Sequence, residues 1–480
     1  MLNKPTYFHK VTSFFLLYSN SEIKKKRVSK EITFVEFKEH KECFNIKIPL
    51  TENQISEVIW PNREGELFKV DDIHRKIAKY DVNELIITYP GSASSQNFLF
   101  RLEKSTKNIL FFTPPDFTGR VTRISVSLDK YKRPFLAVKT KSTDWWILHV
   151  DNLQLKKKVD DIFTRYRLKR LLNISRIGCK KIVEVGLIDP HGLTNVPGSK
   201  GFSVLSDVAS LIKRKLGNHN LIHIYGYAQG HDKGYPDYNP SELLGGDREF
   251  KKAIKRIHAQ NQFVSVYLNI RLASKQIVER DIKLRHAILY NQNGKPIIQL
   301  HPIMDGYKAN YFYVMNPNEP VWINILKENA LKLKNLGTDC IQLDHLGGRE
   351  AIGNPGASWG AGYIEFIEQL KQWGLKTWMQ GVSDIFDVTA YEMTYRYAYV
   401  LKNGIIRGGT PLGEPNYDIF FIFFPEKEVI IPSHKMRSIA GIRKKNIIEC
   451  IKDTSENPEG LALYNSSYLS RLEKLLINNH

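Results

Sequence analysis

From residue 180 onward, short apolar runs of strand length alternate with stretches of helical periodicity. No other feature limits the folds open to this chain as much. The strand-like runs are IVEVGL (182–187), LIHIYGY (221–227), FVSVYLN (263–269), CIQLDH (340–345), LKTWMQ (375–380) and DIFFIFF (418–424). Two more are expected near 391–400 and 404–408. Between them, residues 248–260 set Phe250, Ala253, Ile254 and Ile257 on one helical face. Residues 319–336 align Trp322, Ile325, Leu326, Leu333 and Leu336, with Asn318 as the expected cap, Pro320 in the first turn and Gly337 at the end. A third helix over 363–373 stops at Gly374. Repeated strand–helix units with apolar strands imply a parallel sheet. The α/β stretch, about 300 residues long, suits a (β/α)8 TIM-type barrel; a doubly wound sheet is the alternative.

Residues 31–150 read differently. EITFVEF, CFNIKIPL, ELIITYP, NFLFRLE, ILFFTPP, RISVSL, FLAVKT and WWILHV are short alternating or aromatic runs, many separated by Gly, Pro, Asn or Asp. This spacing predicts an antiparallel β-sandwich. Residues 154–172 have the pattern of a basic amphipathic helix. The expected division is therefore an N-terminal sandwich-like domain with a linker helix over 1–170 and the barrel over 171–480. The link from the third strand to its helix, residues 272–318, is long and carries Asn293-Gly294, a hairpin signal. An insertion of this kind is expected to overhang the active-site face.

In a parallel barrel the residues that act stand just past the C-terminal ends of the strands. The second strand runs out into GYAQGHDKGYPDY, with Gln229, His231, Asp232, Tyr235, Asp237 and Tyr238. The third ends with Asn269 and Arg271, the fourth with Asp344 and His345. The fifth ends with Gln380, followed by Ser383 and Asp384. PEKEVIIPSHKMR follows the late strand with Glu426, Glu428, His434 and Arg437. Trp359 and Trp378 are candidate stacking platforms. Carboxylates, amides and aromatics at one rim suit sugar hydroxyls and pyranose faces, and glycoside hydrolysis asks for two carboxylates across the scissile bond. Each signal also has a structural reading. Asp384 can cap the following helix, Asp232 can serve a turn, Arg271 can hold a salt bridge, and Trp145 and Trp146 can be core or interface.

The runs at 224–254 (IYGYAQGHDKGYPDYNPSELLGGDREFKKAI), 266–272 (VYLNIRL), 341–348 (IQLDHLGG), 378–384 (WMQGVSD) and 423–429 (FFPEKEV) resemble barrel glycoside hydrolases. The family is an uncharacterised bacterial one related to endo-α-N-acetylgalactosaminidases and the α-galactosidase clan. The resemblance spans residues 180–435 and also fits a preceding sandwich. It implies that Asp344 is the nucleophile of a retaining mechanism. On this reading the rim residues Asp232, Tyr235, Asn269, Arg271, His345, Trp359 and Gln380 are expected to hold the carbohydrate. In endo-acting relatives a Glu ending the fifth strand is the acid/base; here that position is Gln380, which has no titratable proton to donate. Asp384 can take the role, as can a later carboxylate such as Asp387, Glu392, Glu414 or Glu426. Otherwise the chain binds glycan without cleaving it.

The 480 residues carry 70 Lys+Arg against 50 Asp+Glu, a formal charge of +20. The densest basic runs are KKKRVSK (24–30), KKK (156–158) and RYRLKR (165–170). They come without an RNP sequence, helix-turn-helix or zinc finger, so solvated faces are expected rather than specific nucleic-acid binding. The charge leaves room for an anionic glycan or a membrane-proximal surface outside the catalytic centre. Cys43, Cys179, Cys340 and Cys450 form no CxxC, and His231, His345 and His434 form no HxH or HExxH. The chain has no P-loop and no GxSxG elbow. No cofactor or metal is expected. No apolar run approaches a spanning helix, and Phe14–Tyr18 is too short for a signal h-region, so a cytoplasmic location is expected. Nothing in the sequence fixes the oligomeric state.

Overall fold

In the computed structural model, eight parallel strands close a barrel in the second part of the chain. They are β1 (Lys181–Gly186), β2 (Leu221–Tyr225), β3 (Phe263–Asn269), β4 (Cys340–Asp344), β5 (Lys376–Gln380), β6 (Ala390–Glu392), β7 (Glu428–Pro432) and β8 (Ile447–Ile451). The structure describes residues 7–10, 16–19, 21–28, 32–38, 44–50, 57–60, 66–79, 83–89, 97–101, 108–112, 122–140, 143–150, 176–187, 201–229, 231, 233–290, 294–302, 309–344, 360–380, 390–392, 398–402, 405–410, 428–433, 447–451, 472–474 and 476–477.

Strand alternation explains the barrel's two surfaces. Val183, Val185, Ile222, Ile224, Val264, Val266, Ile341 and Leu343 share one buried core with the surrounding helices. The residues between them alternate to the inside. There Ile182, Leu221, Cys340, Trp378, Ile430 and Cys450 form an apolar floor. Above it stand Glu184, His223, Ser265 and Gln342, all buried. Apolar outer faces thus hold the helices on, and polar positions line the interior above the floor.

Four helices cover the described wall: α1 (Val204–Leu216), α2 (Gly246–Ala259), α3 (Pro320–Leu336) and α4 (Gly360–Gln372). Helix α2 buries Phe250, Ala253, Ile254 and Ile257, as its periodicity predicts. Helix α3 buries Trp322, Leu326 and Leu333, and its Pro320 lies in the first turn. Each such aliphatic side chain contributes about 1.5–3 kcal/mol by leaving water. Gly337 closes α3 with a φ of 110°, and a Cβ there would stand 3.0 Å from Cγ2 of Ile254. The N-cap is Glu319 rather than Asn318. Asn318 instead accepts the Gly362 N–H, at 3.3 Å. A Cβ on Gly362 would sit 1.7 Å from the Pro317 carbonyl oxygen, so the glycine at the start of α4 serves close packing.

The late strands differ from expectation. Residues 418–424 lie outside the described residues. Strands β7 and β8 are two short runs, EVIIP and IIECI. Residues 404–408 belong to no barrel strand: Ala398–Lys402 and Ile405–Thr410 form an antiparallel hairpin that pairs with Glu84–Tyr89 of the N-terminal region. The hairpin covers what would otherwise be an exposed sheet edge. The sheet therefore contains strands from both sides of residue 170.

The N-terminal region has two antiparallel sheets. Ile46, Ile48, Ile124, Val126, Leu136 and Val138 from one, and Val35, Phe37, Ile109, Phe111, Trp145 and Ile147 from the other, bury a single core. That is how face-to-face sheets pack. Trp145 stacks on Phe111 in this core, at 4.5 Å between centroids. Trp146, on the opposite face, packs on Phe34 and joins the barrel's core. The proposed linker helix at 154–172 lies outside the described residues. Among the described residues no helix is long and apolar enough to cross a membrane.

Between β3 and α3, Leu272–Ser274, Ile298–Pro302 and Ala309–Val314 form a small antiparallel sheet, with helices Lys275–Arg280 and Ile282–His286 beside it. This is the long insertion. Gly294 has a φ of 69°, as a tight turn there requires.

Candidate active site

Asp344 is the last residue of β4, paired in register with Asn269, the last residue of β3. The Tyr267 hydroxyl donates to Asp344 Oδ2 at 2.6 Å. Asn269 Nδ2 donates to the same oxygen at 3.3 Å, and to the Tyr267 hydroxyl at 3.3 Å. Tyr235 donates to the Tyr267 hydroxyl at 3.1 Å. Tyr235 and Asn269 are fully buried, and Asp344 is 5 % exposed. Two donors on one oxygen fix the carboxylate plane at the barrel mouth.

The loop after β2 wraps this constellation. Tyr238 donates to the Asn269 carbonyl at 2.6 Å, and Tyr227 to the Tyr267 carbonyl at 3.1 Å. Burial pushes the Tyr227 phenol well above its usual value, so it stays a neutral donor. His231 is buried edge-on to Tyr225, with centroids 4.2 Å apart, and lies 5.7 Å from the Tyr267 ring. Gln229 and Asp237 serve the loop itself. Gln229 Oε1 accepts Ser241 Oγ and the Glu242 N–H, and Asp237 Oδ1 accepts the Asn239 N–H.

Where β3 ends, Asn269 Oδ1 accepts the N–H groups of Arg271 and Leu272, at 3.1 and 3.0 Å. The Ile270 carbonyl accepts Trp322 Nε1 at 3.0 Å and the Tyr363 hydroxyl at 3.2 Å, which ties the strand end to α3 and α4. Arg271 is buried, and its Nη1 donates to Gln299 Oε1 at 2.9 Å. That bond ties the strand end to an amide of the insertion. Phe312, also from the insertion, packs on Tyr235 with centroids 5.5 Å apart. The insertion roofs the site.

Two candidates move away from the rim. Trp378 lies inside the barrel, donates Nε1 to Ser265 Oγ at 3.0 Å and meets the His223 ring edge-on at 5.0 Å. It packs the interior instead of offering a platform. Glu428 begins β7 at the opposite end of the barrel, where its Oε2 accepts the Ile177 N–H at 2.6 Å. Burial raises its pKa, and that hydrogen bond opposes the rise. Asp232, His345, Trp359 and Asp384 lie outside the described residues, as do Asp387, Glu414, Glu426, His434 and Arg437. Gln380 is described in its backbone, as the last residue of β5, in register with Glu392, the last residue of β6. Among the described residues no three His, Cys, Asp or Glu side chains are grouped as metal ligands.

Tyr267 is the site residue that strand-end reading passes over. Its signal is parity: in FVSVYLN it stands two residues before Asn269, on the same face of β3.

A profile described as a domain of unknown function, DUF6259, matches residues 187–352, which include Asp344 and its donors. No curated protein sequence matches the chain. Among solved structures, the ligand-free alpha-N-acetylgalactosaminidase NagBb from Bifidobacterium bifidum superposes with a TM-score of 0.60 at 13% identity, covering 99% of this chain and 84% of its own. The alpha-galactosidase TtGalA from Thermus thermophilus, solved with stachyose, gives 0.54 at 11% identity, covering 98% and 93%. The alpha-galactosidase from Lactobacillus brevis gives 0.50 at 8% identity, covering 100% and 69%. The chain has the fold of these glycoside hydrolases, along nearly its whole length.

Proposed function

We propose that the chain is a retaining glycoside hydrolase acting on an oligo- or polysaccharide, with Asp344 as nucleophile. The observation that carries this reading is the placement of Asp344: at the end of β4, buried at the barrel mouth, with Tyr267 and Asn269 both donating to Oδ2. Asp344 attacks the anomeric carbon and displaces the leaving oxygen, which a second carboxylic acid protonates. That group then takes a proton from water, which releases the sugar from Asp344 with its configuration retained.

Glu392 is our choice for the second carboxylate, ahead of Asp384. It ends β6, two strands from Asp344 around the barrel, in register with Gln380. Neighbouring strands lie about 4.8 Å apart, so the two backbones stand roughly 9–10 Å apart. Retention needs the two carboxyl groups about 5–5.5 Å apart. Tyr235, Asn269 and Arg271 shape the sugar pocket, together with Asp232, His345, Trp359 and Gln380. Solved structures that share this fold include enzymes named for α-linked galactose and N-acetylgalactosamine, so aryl α-glycosides of those sugars are the first substrates to try. Proton NMR of the first product tests the mechanism: the α-anomer is expected, and initial formation of the β-anomer contradicts retention.

Gln380 favours a second reading, a glycan-binding protein that does not hydrolyse. Saturable oligosaccharide binding with no released reducing end would select it.

A further inference from the structure

Eight large hydrophobic side chains are exposed among the described residues, and four of them belong to the insertion that roofs the site: Ile282, Tyr290, Ile298 and Tyr311. The small sheet has two distinct faces. Gln299 pairs with Phe312 in register, and these two reach Arg271 and Tyr235 on the inner side. Ile298 and Tyr311 lie one position away from Gln299 and Phe312 along the two strands, so by alternation they turn to the opposite face; on that face Tyr313 is already buried in the core. Tyr311 is 51 % exposed and Ile298 43 %. Tyr290, in the same insertion, is 44 % exposed.

The charge around this face is net positive, with Glu279 paired to Lys275 at 3.7 Å and accepting the Tyr313 hydroxyl at 3.2 Å. Described residues 275–299 hold five basic side chains against two acidic ones. Lys275 places Nζ 5.8 Å from the centre of the Tyr311 ring. Lys283 and Arg285 are exposed on the neighbouring short helix. An exposed aromatic and aliphatic patch needs an occupant. Phenol rings with a wet edge suit pyranose faces, and the ammonium and guanidinium groups suit carboxylates or sulfates along a chain. The patch also continues the site, since adjacent residues of the same two strands face inward to Arg271 and outward to solvent.

We propose that the outer face of this sheet binds a stretch of an acidic polysaccharide whose neighbouring unit enters the Asp344 site. The proposal rests on the carbohydrate-active reading above, but its binding step does not need catalysis. The test uses the full chain and two polymers, polygalacturonate as the acidic probe and dextran as the neutral one, in affinity electrophoresis at low salt. Wild type is expected to be retarded by polygalacturonate and not by dextran. Tyr311→Ala is expected to lose about ten-fold in affinity, the effect of one aromatic contact, and Lys275→Gln less. Both variants should keep the wild-type circular dichroism and aryl glycoside turnover, and Asp344→Asn should keep full retardation. Equal retardation of wild type and Tyr311→Ala overturns the proposal. So does light scattering that shows a dimer dissociated by Tyr311→Ala, since the patch would then hold a second copy. If a glycoside is turned over in an Asp344-dependent way and polygalacturonate is not bound, the surface proposal fails alone. If polygalacturonate binding needs Tyr311 and no glycoside is cleaved, the hydrolase reading fails alone.

Discussion

The Tyr267 hydroxyl donates to Oδ2 of Asp344 across the β3–β4 seam, at 2.6 Å, and itself accepts from Tyr235 at 3.1 Å. A carboxylate held in this way keeps a fixed plane, as the proposed nucleophile must. Tyr267→Phe removes one hydroxyl and little volume. A hydrogen bond to a charged group is worth about 1.5–3 kcal/mol, so kcat is expected to fall about ten- to a hundred-fold with KM nearly unchanged. A rise in KM at constant kcat would instead make Tyr267 a substrate-binding residue.

Asn269 serves two ends. Its Nδ2 reaches Asp344, and its Oδ1 takes the N–H groups of Arg271 and Leu272. Asn269→Ala leaves two buried donors without their acceptor, at roughly 1–3 kcal/mol each. The melting temperature is expected to drop by several degrees, in addition to any loss of turnover. A variant with wild-type melting would show that water or a shifted backbone satisfies both groups.

The barrel was legible in the sequence because its outward residues carry the signal. Phe250, Ile254 and Ile257 on α2, and Val264, Val266 and Leu268 on β3, share one core and recur at the periods of helix and strand. The strand-end positions of Asp344 and Asn269 were legible because the apolar runs of β3 and β4 stop on them. Strands β7 and β8 were not, because EVIIP and IIECI are short, interrupted by charge or proline, and set among loops. Composition also cannot tell the inside of a barrel from its rim. Trp378 and Glu428 look like site residues until register puts one in the interior and the other at the far end. Nothing local in Ala398–Lys402 announces that it pairs with Glu84–Tyr89, more than 300 residues earlier.

That pairing has a consequence. Without residues 398–410, the strand Glu84–Tyr89 is left as an open edge with Leu85 and Ile86 in it. A fragment ending at residue 170 is expected to self-associate through this edge, as read by light scattering beside the intact chain. A monomeric fragment with a cooperative melt would show that the edge needs no cover.

His258 Nε2 on α2 donates to Asp339 Oδ2 at 2.8 Å, and Asp339 also accepts the Val264 N–H. The hydrogen bond to Asp339 raises the His258 pKa, while burial opposes the rise. A raised histidine stabilises the fold fully below its unfolded value of about 6.5, and the gain is lost as pH climbs through the folded value. Both side chains are about one-third exposed, so the effect is expected to be a few tenths of a kcal/mol up to about 1 kcal/mol. In urea melts, the stability gap between wild type and His258→Gln should shrink as pH rises past neutrality. A gap independent of pH would remove the charge from this account.

The most direct test is turnover by Asp344→Asn. The substitution keeps the shape of the side chain and one acceptor oxygen for Tyr267 and Asn269, and removes the nucleophilic charge. On any glycoside that wild type cleaves, the variant is expected to lose about a thousand-fold or more in kcat while melting like wild type. Unchanged turnover would place the chemistry elsewhere and contradict the assignment.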